Sequence, residues 1–378
     1  MTTKENPLRQ LHTFGQSVWL DFLSRGMLRS GQLADLIGDD GLRGVTSNPA
    51  IFEKAINHSH DYDETVARLA AQGNSIEEIY REMVVEDIQD AADALRPLYD
   101  RVGGTDGFVS LEVSPRLARD TQATLAEARE LWMLVNRPNV FIKVPGTREG
   151  LPAIEQLLVE GINVNITLLF DLARYRDVAE VYLRALEHRA AQGRPIDRLA
   201  SVASFFISRI DTLVDERLES LMKQEPAKAE EATALSGQVA VASAKVAYEI
   251  YEEIIGSQRF GALAAAGARP QRLLWASTGT KNPHYSDVMY VEPLVGPDTV
   301  TTLPMETLEA YRDHGKPAAR LRDGRREAHA VLRRLGEAGI DLTAITGELE
   351  EQGVAKFVEP FERLMAALRD KRAAVGAH

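Results

Sequence analysis

The sequence contains no cysteine, which excludes a disulfide framework and thiol catalysis. It also lacks an apolar run of the ~20 residues that a membrane span needs, and residues 1–7 show no apolar stretch of the signal-peptide kind. Basic charge is not in excess, because 56 acidic residues outnumber 44 basic ones and give a net charge of −12. This balance argues against nucleic acid as a partner. These absences predict a cytoplasmic protein with neither membrane nor nucleic-acid partners.

The remaining composition, 44% hydrophobic and 26% charged over 378 residues, is typical of globular enzymes. Such a length fits two average domains or one large barrel with insertions. Eight apolar, β-rich runs alternate with helical segments, which predicts an α/β fold of the parallel (β/α)8 (TIM) barrel type. The predicted strands are 17–23, 44–48, 108–114, 140–145, 161–167, 199–206, 272–278 and 299–303.

The predicted helical segments are 29–38, 62–98, 118–134, 149–158, 171–191, 209–255 and 305–313. Two of them, 62–98 and 209–255, exceed one crossover helix each, so we expect insertions on the barrel's rim. After residue 318 the chain is charged and helical, which predicts a C-terminal helical extension, 318–378, packed on the outside of the barrel. Because no linker, repeat or composition break is present, we expect a single domain over residues 1–378.

A lysine, Lys143, lies in the middle of the apolar strand predicted at 140–145. Burying an ammonium group is costly unless the group is paired or loses its proton. A depressed pKa would leave a neutral amine, which is a nucleophile toward carbonyl carbons. Lys143 is therefore a candidate Schiff-base lysine. The structural alternative is an edge-strand lysine whose amine reaches solvent.

Polar residues also occur on the other strands, near the carboxyl ends where barrel enzymes build their active sites. Alternate residues of a strand share a face. This pattern groups Ser17 with Asp21, Thr46 with Asn48, Ser110 with Glu112, Asn163 with Asn165 and Thr167, and Ser204 with Phe206. Each of these could be a satisfied hydrogen bond in the core, but polar groups on six strands together favour an active site.

These residue types suit carbon–carbon bond chemistry on a sugar. An amine that adds to a ketone forms a carbinolamine, whose loss of water needs a proton donor. Glu112 is equipped for that step, with Thr167 to position a water molecule. Asp21 can take the proton from the hydroxyl group whose carbon–carbon bond breaks. Asn48 and Asn165 can hold hydroxyl groups without competing for protons.

Two segments are candidates for binding an anion. Arg209 follows the sixth predicted strand, and the residues from Ser277 to Lys281 follow the seventh. Barrel enzymes often bind phosphate after strand seven, where small hydroxyl residues and glycine lie beside a cation. The structural alternatives are a solvated loop for Lys281 and a surface ion pair for Arg209.

Several segments together resemble signatures of the transaldolase family. They are 44–52 (GVTSNPAIF), 140–147 (VFIKVPGT), 110–113 (SLEV, followed by Arg116, Asp120 and Thr121) and 163–170 (NVNITLLF). The likeness runs in order from about Ser17 to Leu308. The block at 277–283 (STGTKNP) is similar to that of the longer bacterial members.

The resemblance implies a barrel enzyme without cofactor or metal that moves a dihydroxyacetone unit between phosphorylated sugars in the pentose phosphate pathway. The implied donors are sedoheptulose 7-phosphate and fructose 6-phosphate, and the acceptors are glyceraldehyde 3-phosphate and erythrose 4-phosphate. Sugar phosphates are thus the expected partners, and we expect a monomer or homodimer.

The resemblance also assigns roles to the candidate residues. It implies Lys143 as the Schiff-base lysine, Asp21 as the acid/base at carbon–carbon cleavage, and Glu112 with Thr167 as the water-activating pair. The implied substrate-binding residues are Asn48, Asn165, Ser204, Phe206, Arg209 and Ser277. Shorter family members carry an arginine two residues after this serine, where the present sequence has Gly279. Lys281 is the candidate replacement for that arginine.

Three alternatives stay open. A fructose 6-phosphate aldolase shares the fold and the lysine, but that branch has shorter chains, with Gln at the position of Glu112 and Tyr at that of Phe206. A metal-dependent sugar isomerase or hydrolase could use the segment from His58 to Asp61, although its position before a helix favours a helix-capping loop. An inactive barrel scaffold is the third, against which stands the presence of every expected catalytic residue type.

Overall fold

A computed structural model of the chain describes residues 6–57 and 59–376, with side chains through residue 373. Eight parallel strands close a barrel in chain order, and the last strand pairs with the first. All eight predicted strands are confirmed, with ends shifted by a few residues. Their bounds are β1 Gln16–Leu20, β2 Gly44–Thr46, β3 Phe108–Glu112, β4 Val140–Pro145, β5 Val164–Leu169, β6 Ser201–Phe206, β7 Arg272–Ala276 and β8 Thr299–Leu303.

Helices surround the barrel, and the predicted helical segments are confirmed as one or more helices each. They are α1 Pro7–Leu11, α2 Arg25–Ser30, α3 Gln32–Asp35, α4 Pro49–Asn57, α5 Asp63–Ala71, α6 Ile76–Arg101, α7 Thr121–Val135, α8 Gly150–Glu160, α9 Leu172–Ala191, α10 Ser208–Gln224, α11 Ala229–Leu235, α12 Val239–Ile255, α13 Gln258–Ala265, α14 Met305–His314, α15 Arg325–Glu337 and α16 Leu342–Gly376. Within the described residues, no helix is both long and apolar enough to cross a membrane.

Aromatic side chains fill the half of the barrel nearer the amino ends of the strands. The ring centroid of Phe141 lies 4.3 Å from that of Phe108 and 6.0 Å from that of Trp19. Trp19 fits there because β2 begins with Gly44, where a Cβ would lie 2.5 Å from the indole ring. This aromatic layer separates the amino end of the barrel from the carboxyl end, where Glu112 and Lys143 of the same strands lie.

The C-terminal extension only partly follows the expectation. Helix α15 packs on the outer helix α12 as predicted, but α16 packs against α4, α5 and α10. Because α4 and α10 follow β2 and β6 directly, α16 lies across the carboxyl end of the barrel and not on its outside. Ion pairs from Glu362 to Arg116 (2.6 Å) and from Glu348 to Arg217 (2.7 Å) hold it there. An apolar helix face must be buried, but its spacing does not say against what. The single-domain expectation stays a prediction.

Candidate active site

A cavity of about 170 Å³ opens at the carboxyl end of the barrel. Nine of the eleven predicted site residues line it. In the sequence they are spread from the end of β1 to the loop after β7. The nine are Asp21, Asn48, Lys143, Thr167, Ser204, Phe206, Arg209, Ser277 and Lys281. The parallel strands of a closed barrel bring their carboxyl ends together, so residues distant in sequence meet at one mouth.

Lys143 points into the barrel from the middle of β4, and 6% of its side chain is exposed. Its Nζ lies 3.3 Å from Oε2 of Glu112 and donates a hydrogen bond of 3.3 Å to the carbonyl oxygen of Ser47. The ring centroid of Phe357, on α16, is 5.4 Å from the same Nζ. The edge-strand interpretation is therefore wrong, because a closed barrel has no edge and the amine faces a carboxylate.

Glu112 ends β3 directly beside Lys143, with which it is in register. Neither carboxylate oxygen has a hydrogen-bond partner of good geometry among the described residues, although one lies within ion-pair distance of the lysine. Burial raises the pKa of Glu112 to about 7, while Lys143 acts to lower it and Asp21 to raise it further. A carboxyl group with that pKa can donate or accept a proton near neutral pH.

Thr167 lies on β5 next to the lysine strand, in register with Pro145. Its Oγ1 is buried and has no hydrogen-bond partner among the described residues. The pairing of β5 becomes irregular after Ile166, and Leu168 takes a positive φ of 59°. This hydroxyl can therefore bind a ligand atom at no cost to the fold, whereas its predicted role in positioning water stays a prediction.

Asp21 follows β1 and accepts a hydrogen bond of 2.7 Å from Oγ1 of Thr46. The same hydroxyl lies 2.9 Å from Oγ1 of Thr302, so threonines of β2 and β8, the two strands that flank β1, contact each other beside Asp21. Asp21 also acts electrostatically on Arg209, opposing the fall in the arginine's pKa that burial causes. One anionic and one cationic group thus both line the cavity.

The predicted anion site has two cations. Arg209 stands at the start of α10, and its Nη1 is buried without a partner among the described residues. Ser277, in a left-handed conformation with φ 54°, places its Oγ 2.9 Å from Oγ of Ser208. Lys281 lines the same cavity, and a Cβ at position 279 would lie 3.8 Å from its Nζ. A helix start, two hydroxyls and two cations suit a phosphate.

Three polar residues form hydrogen bonds inside the barrel and do not line this cavity. Asn165 is fully buried behind the cavity, where it donates to Oγ of Ser110 (3.0 Å) and accepts from Oγ of Ser204 (2.7 Å). For Ser17 and Asn163 the structural alternative, a satisfied hydrogen bond in the core, is the one that the structure shows. Ser17 is the second residue of β1 and bonds to Asp106, and Asn163 precedes β5 and bonds to backbone groups. Such pairings are ordinary core hydrogen bonds.

The sequence-based prediction missed Phe357, which lines the cavity from the C-terminal helix. The helix approaches closely because α16 has a glycine at 353, where a Cβ would lie 3.0 Å from Leu168. Two further residues of α16, Phe361 and Met365, line a smaller cavity of about 130 Å³ beside Glu112. No local motif marks these residues, since an apolar helix face looks the same wherever it packs.

The segment that suggested a metal site is a turn before α5. His58 lies outside the described residues, and His60 is exposed, with its Nδ1 2.7 Å from Oδ2 of Asp63. The expected helix cap is wrong in detail, because Tyr62 holds the N-cap position without a side-chain bond. The part of the chain that the structure describes has no cluster of three metal-ligating residues.

Comparison with known proteins agrees with this geometry. The family described as Transaldolase/Fructose-6-phosphate aldolase matches residues 18–368. A curated transaldolase of Saccharopolyspora erythraea is 50% identical over 372 residues, covering 98% of this chain and 99% of that protein. Transaldolases of Thiobacillus denitrificans (49% identical; 96% of this chain, 99% of that protein) and Thermobifida fusca (50%; 98% and 99%) are equally similar. The chain therefore belongs to the transaldolase and fructose 6-phosphate aldolase family, and its activity is that of the transaldolases within it.

Proposed function

We propose that the transaldolase reaction of this chain proceeds through a Schiff base between Lys143 and the ketone carbon of a phosphorylated ketose. The observation that carries this proposal is the contact between the buried amine and a carboxyl group whose pKa is raised to about 7, 3.3 Å away. An amine beside such a group has a proton donor and acceptor at hand for each step of imine formation.

The reaction begins when Nζ of Lys143 attacks the ketone carbon and a proton moves to the carbonyl oxygen. Glu112 protonates the resulting hydroxyl group, which leaves as water, and an iminium ion remains. Asp21 then removes the proton from the hydroxyl group adjacent to the bond that breaks, and the aldehyde product departs. The electron pair of that bond stays on the lysine-bound dihydroxyacetone unit as an enamine. Attack of the enamine on a second aldehyde, followed by hydrolysis, completes the transfer.

The remaining residues hold the sugar. Asn48, Ser204 and Phe206 face the cavity near the lysine and are proposed to contact the dihydroxyacetone unit. Asn165 is proposed to act through its hydrogen bond with Ser204. Arg209, Ser277 and Lys281 are proposed to bind the phosphate of sedoheptulose 7-phosphate or fructose 6-phosphate in the pentose phosphate pathway. The cytoplasmic location and the monomeric or homodimeric state stay predictions.

Lys281 is proposed to replace the arginine that shorter family members carry at position 279. The short distance between Lys281 Nζ and a Cβ at 279 supports this substitution of one cation by another. Removing the charge in Lys281→Met is expected to raise KM for phosphorylated sugars roughly tenfold or more, because a charge-assisted bond to phosphate is lost. The double variant Gly279→Arg with Lys281→Met is expected to recover much of that loss. An equal effect of Lys281→Met on unphosphorylated sugars would contradict the phosphate role.

The transfer itself is tested with fructose 6-phosphate as donor. In the presence of erythrose 4-phosphate we expect sedoheptulose 7-phosphate and glyceraldehyde 3-phosphate, with little free dihydroxyacetone. Release of free dihydroxyacetone at the same rate with or without the acceptor would instead assign the chain to the aldolase branch. Mass spectrometry of the products separates these outcomes.

A further inference from the structure

A second cavity, of about 300 Å³, opens at the amino end of the barrel, opposite the active site. Its inner wall is apolar and aromatic, formed by Trp19 of β1, Phe108 of β3, Phe141 of β4 and Val202 of β6. Its rim carries arginines. A concave apolar pocket with a few charged groups at one side is the usual shape of a small-molecule site.

Positive charge exceeds negative charge around this cavity. Arg43, Arg269 and Arg272 line it, against Asp106 and Asp298. The Nη1 atoms of Arg43 and Arg272 lie 3.8 and 3.9 Å from the same oxygen of Asp106. Both arginine side chains are less than a fifth exposed, at 17% and 18%, so solvent screens them poorly. One carboxylate shared by two partly buried guanidinium groups leaves a net positive charge at this side of the cavity.

Asp106 accepts its hydrogen bonds from groups other than Arg43, which it meets only as an ion pair at 3.8 Å. Its two oxygens accept hydrogen bonds from Oγ of Ser17, from Nε1 of Trp19 (3.1 Å) and from the backbone N–H of Gly107 (3.3 Å). Arg272 is also engaged, since its Nη2 donates to Oγ of Ser17 (2.7 Å) and to the carbonyl oxygen of residue 299 (2.6 Å). Arg43, by contrast, donates no side-chain hydrogen bond to a described residue.

The pKa values of two groups beside the cavity also reflect its excess of positive charge. Burial lowers the pKa of His12 at the cavity wall, and the positive charges of Arg43 and Arg272 lower it further, with Asp106 acting in the opposite sense. Burial likewise lowers the pKa of Arg43, again opposed by Asp106 and assisted by Arg272. Each of these effects would be relieved by an anion placed between the arginines.

We propose that this amino-end cavity binds a small organic anion, with its phosphate or carboxylate group against Arg43 and its apolar body against Trp19 and Phe141. A charge-assisted hydrogen bond to a partly buried guanidinium supplies the anchor. The aromatic wall selects the body of the ligand, because the hydroxyl groups of a sugar would lose their hydrogen bonds there. The two mouths of the barrel therefore take different ligands, a polyol phosphate at the carboxyl end and an apolar anion at the amino end.

The binding test uses phenyl phosphate as the probe, followed by isothermal calorimetry and by intrinsic fluorescence, because the indole of Trp19 forms part of the cavity wall. We expect saturable binding with a fluorescence change. Phenol and inorganic phosphate, each carrying half of the recognised chemistry, are expected to bind at least tenfold more weakly than the probe. Benzoate distinguishes a carboxylate-binding site from a phosphate-binding one.

Variants locate the bound probe. Arg43→Met is expected to weaken phenyl phosphate binding roughly ten- to hundredfold, and Arg43→Lys less, because the charge is kept. Arg29→Met, which removes an exposed arginine away from the cavity, is the matched control and is expected to bind normally. Val202→Phe, which fills the cavity, is expected to abolish binding even if Arg43→Met folds poorly.

Three outcomes would overturn the proposal. The first is the absence of saturable binding to the unmodified protein. The second is phenol binding as tight as that of phenyl phosphate, which would remove the role of the anion. The third is probe binding that is lost in Lys281→Met and kept in Arg43→Met, which would place the probe at the carboxyl-end cavity.

Discussion

The two ends of the barrel each hold a buried carboxylate beside cationic side chains, but in different states of satisfaction. At the amino end, Asp106 accepts hydrogen bonds from a hydroxyl, an indole and a backbone N–H. At the carboxyl end, neither oxygen of Glu112 has a hydrogen-bond partner of good geometry among the described residues. The first arrangement is that of a structural group, and the second is that of a group kept available for proton transfer.

This difference shows that one fold can use a carboxyl group either to stabilise the native state or to transfer protons. A carboxylate whose oxygens are all bonded contributes to the stability of the native state, because removing it leaves its partners unpaired. A buried carboxyl group without partners costs stability and has a raised pKa, which is useful only where protons move. The comparison predicts opposite consequences for mutations at the two ends.

The largest expected effect is on catalysis at the carboxyl end. Glu112→Gln is expected to lower kcat roughly 100- to 10,000-fold, because the amide cannot protonate the leaving hydroxyl group. Stopped-flow measurement of imine formation with fructose 6-phosphate checks it. The matched control is Glu127→Gln, a partly buried carboxyl group that accepts a hydrogen bond from the backbone N–H of Ser114. A similar fall in kcat in both variants would contradict the proposed role of Glu112 as proton donor.

A large effect on stability is expected at the amino end. Asp106→Ala leaves Arg43 and Arg272 without their shared carboxylate and Trp19 without its acceptor. We expect the free energy of unfolding, from urea titration monitored by circular dichroism, to fall by about 3 kcal/mol. Asp197→Ala, an exposed aspartate with 59% of its side chain accessible, is the control and is expected to change it by less than about 0.5 kcal/mol. A cost at Asp106 no larger than at Asp197 would show that the amino-end network does not stabilise the fold.

A smaller effect is expected from the C-terminal helix. Phe357→Ala opens the space over Lys143 to water, so the burial that raises the pKa of Glu112 weakens. The carboxyl group then ionises at lower pH, and the limb of the pH profile of kcat/KM that reports it should move down from about 7 by roughly one unit. Phe357→Leu keeps the apolar bulk and should leave the limb in place. If the limb of the pH profile stays in place in Phe357→Ala, the ring of Phe357 does not influence the pKa of Glu112.

Much of the active site was predictable because barrel geometry links sequence position to location. A lysine inside an apolar strand, such as Lys143, and a carboxylate at a strand end, such as Glu112, must meet where parallel strands finish together. Ser17 shares a face with Asp21 but lies at the opposite end of the strand, and it takes part in a core hydrogen bond. Alternation along a strand defines a face but not a depth within the barrel.

The C-terminal helix and the amino-end cavity were not predictable for a different reason. Phe357 belongs to an apolar helix face, and such a face shows that the helix is buried without showing its partner. The arginines of the amino-end cavity precede or begin strands at scattered positions, and in sequence they look like ordinary surface charges. Only the closed barrel shows that Arg43 and Arg272 face one carboxylate.

The central claim, that Lys143 is the residue that reacts with the ketose, is tested most directly by chemical trapping. Borohydride is added to the enzyme in the presence of fructose 6-phosphate, and the modified peptide is identified by mass spectrometry. The account predicts a reduced dihydroxyacetone unit on the peptide that contains Lys143, and none in Lys143→Ala. An adduct on another lysine, or one that persists in Lys143→Ala, would contradict it.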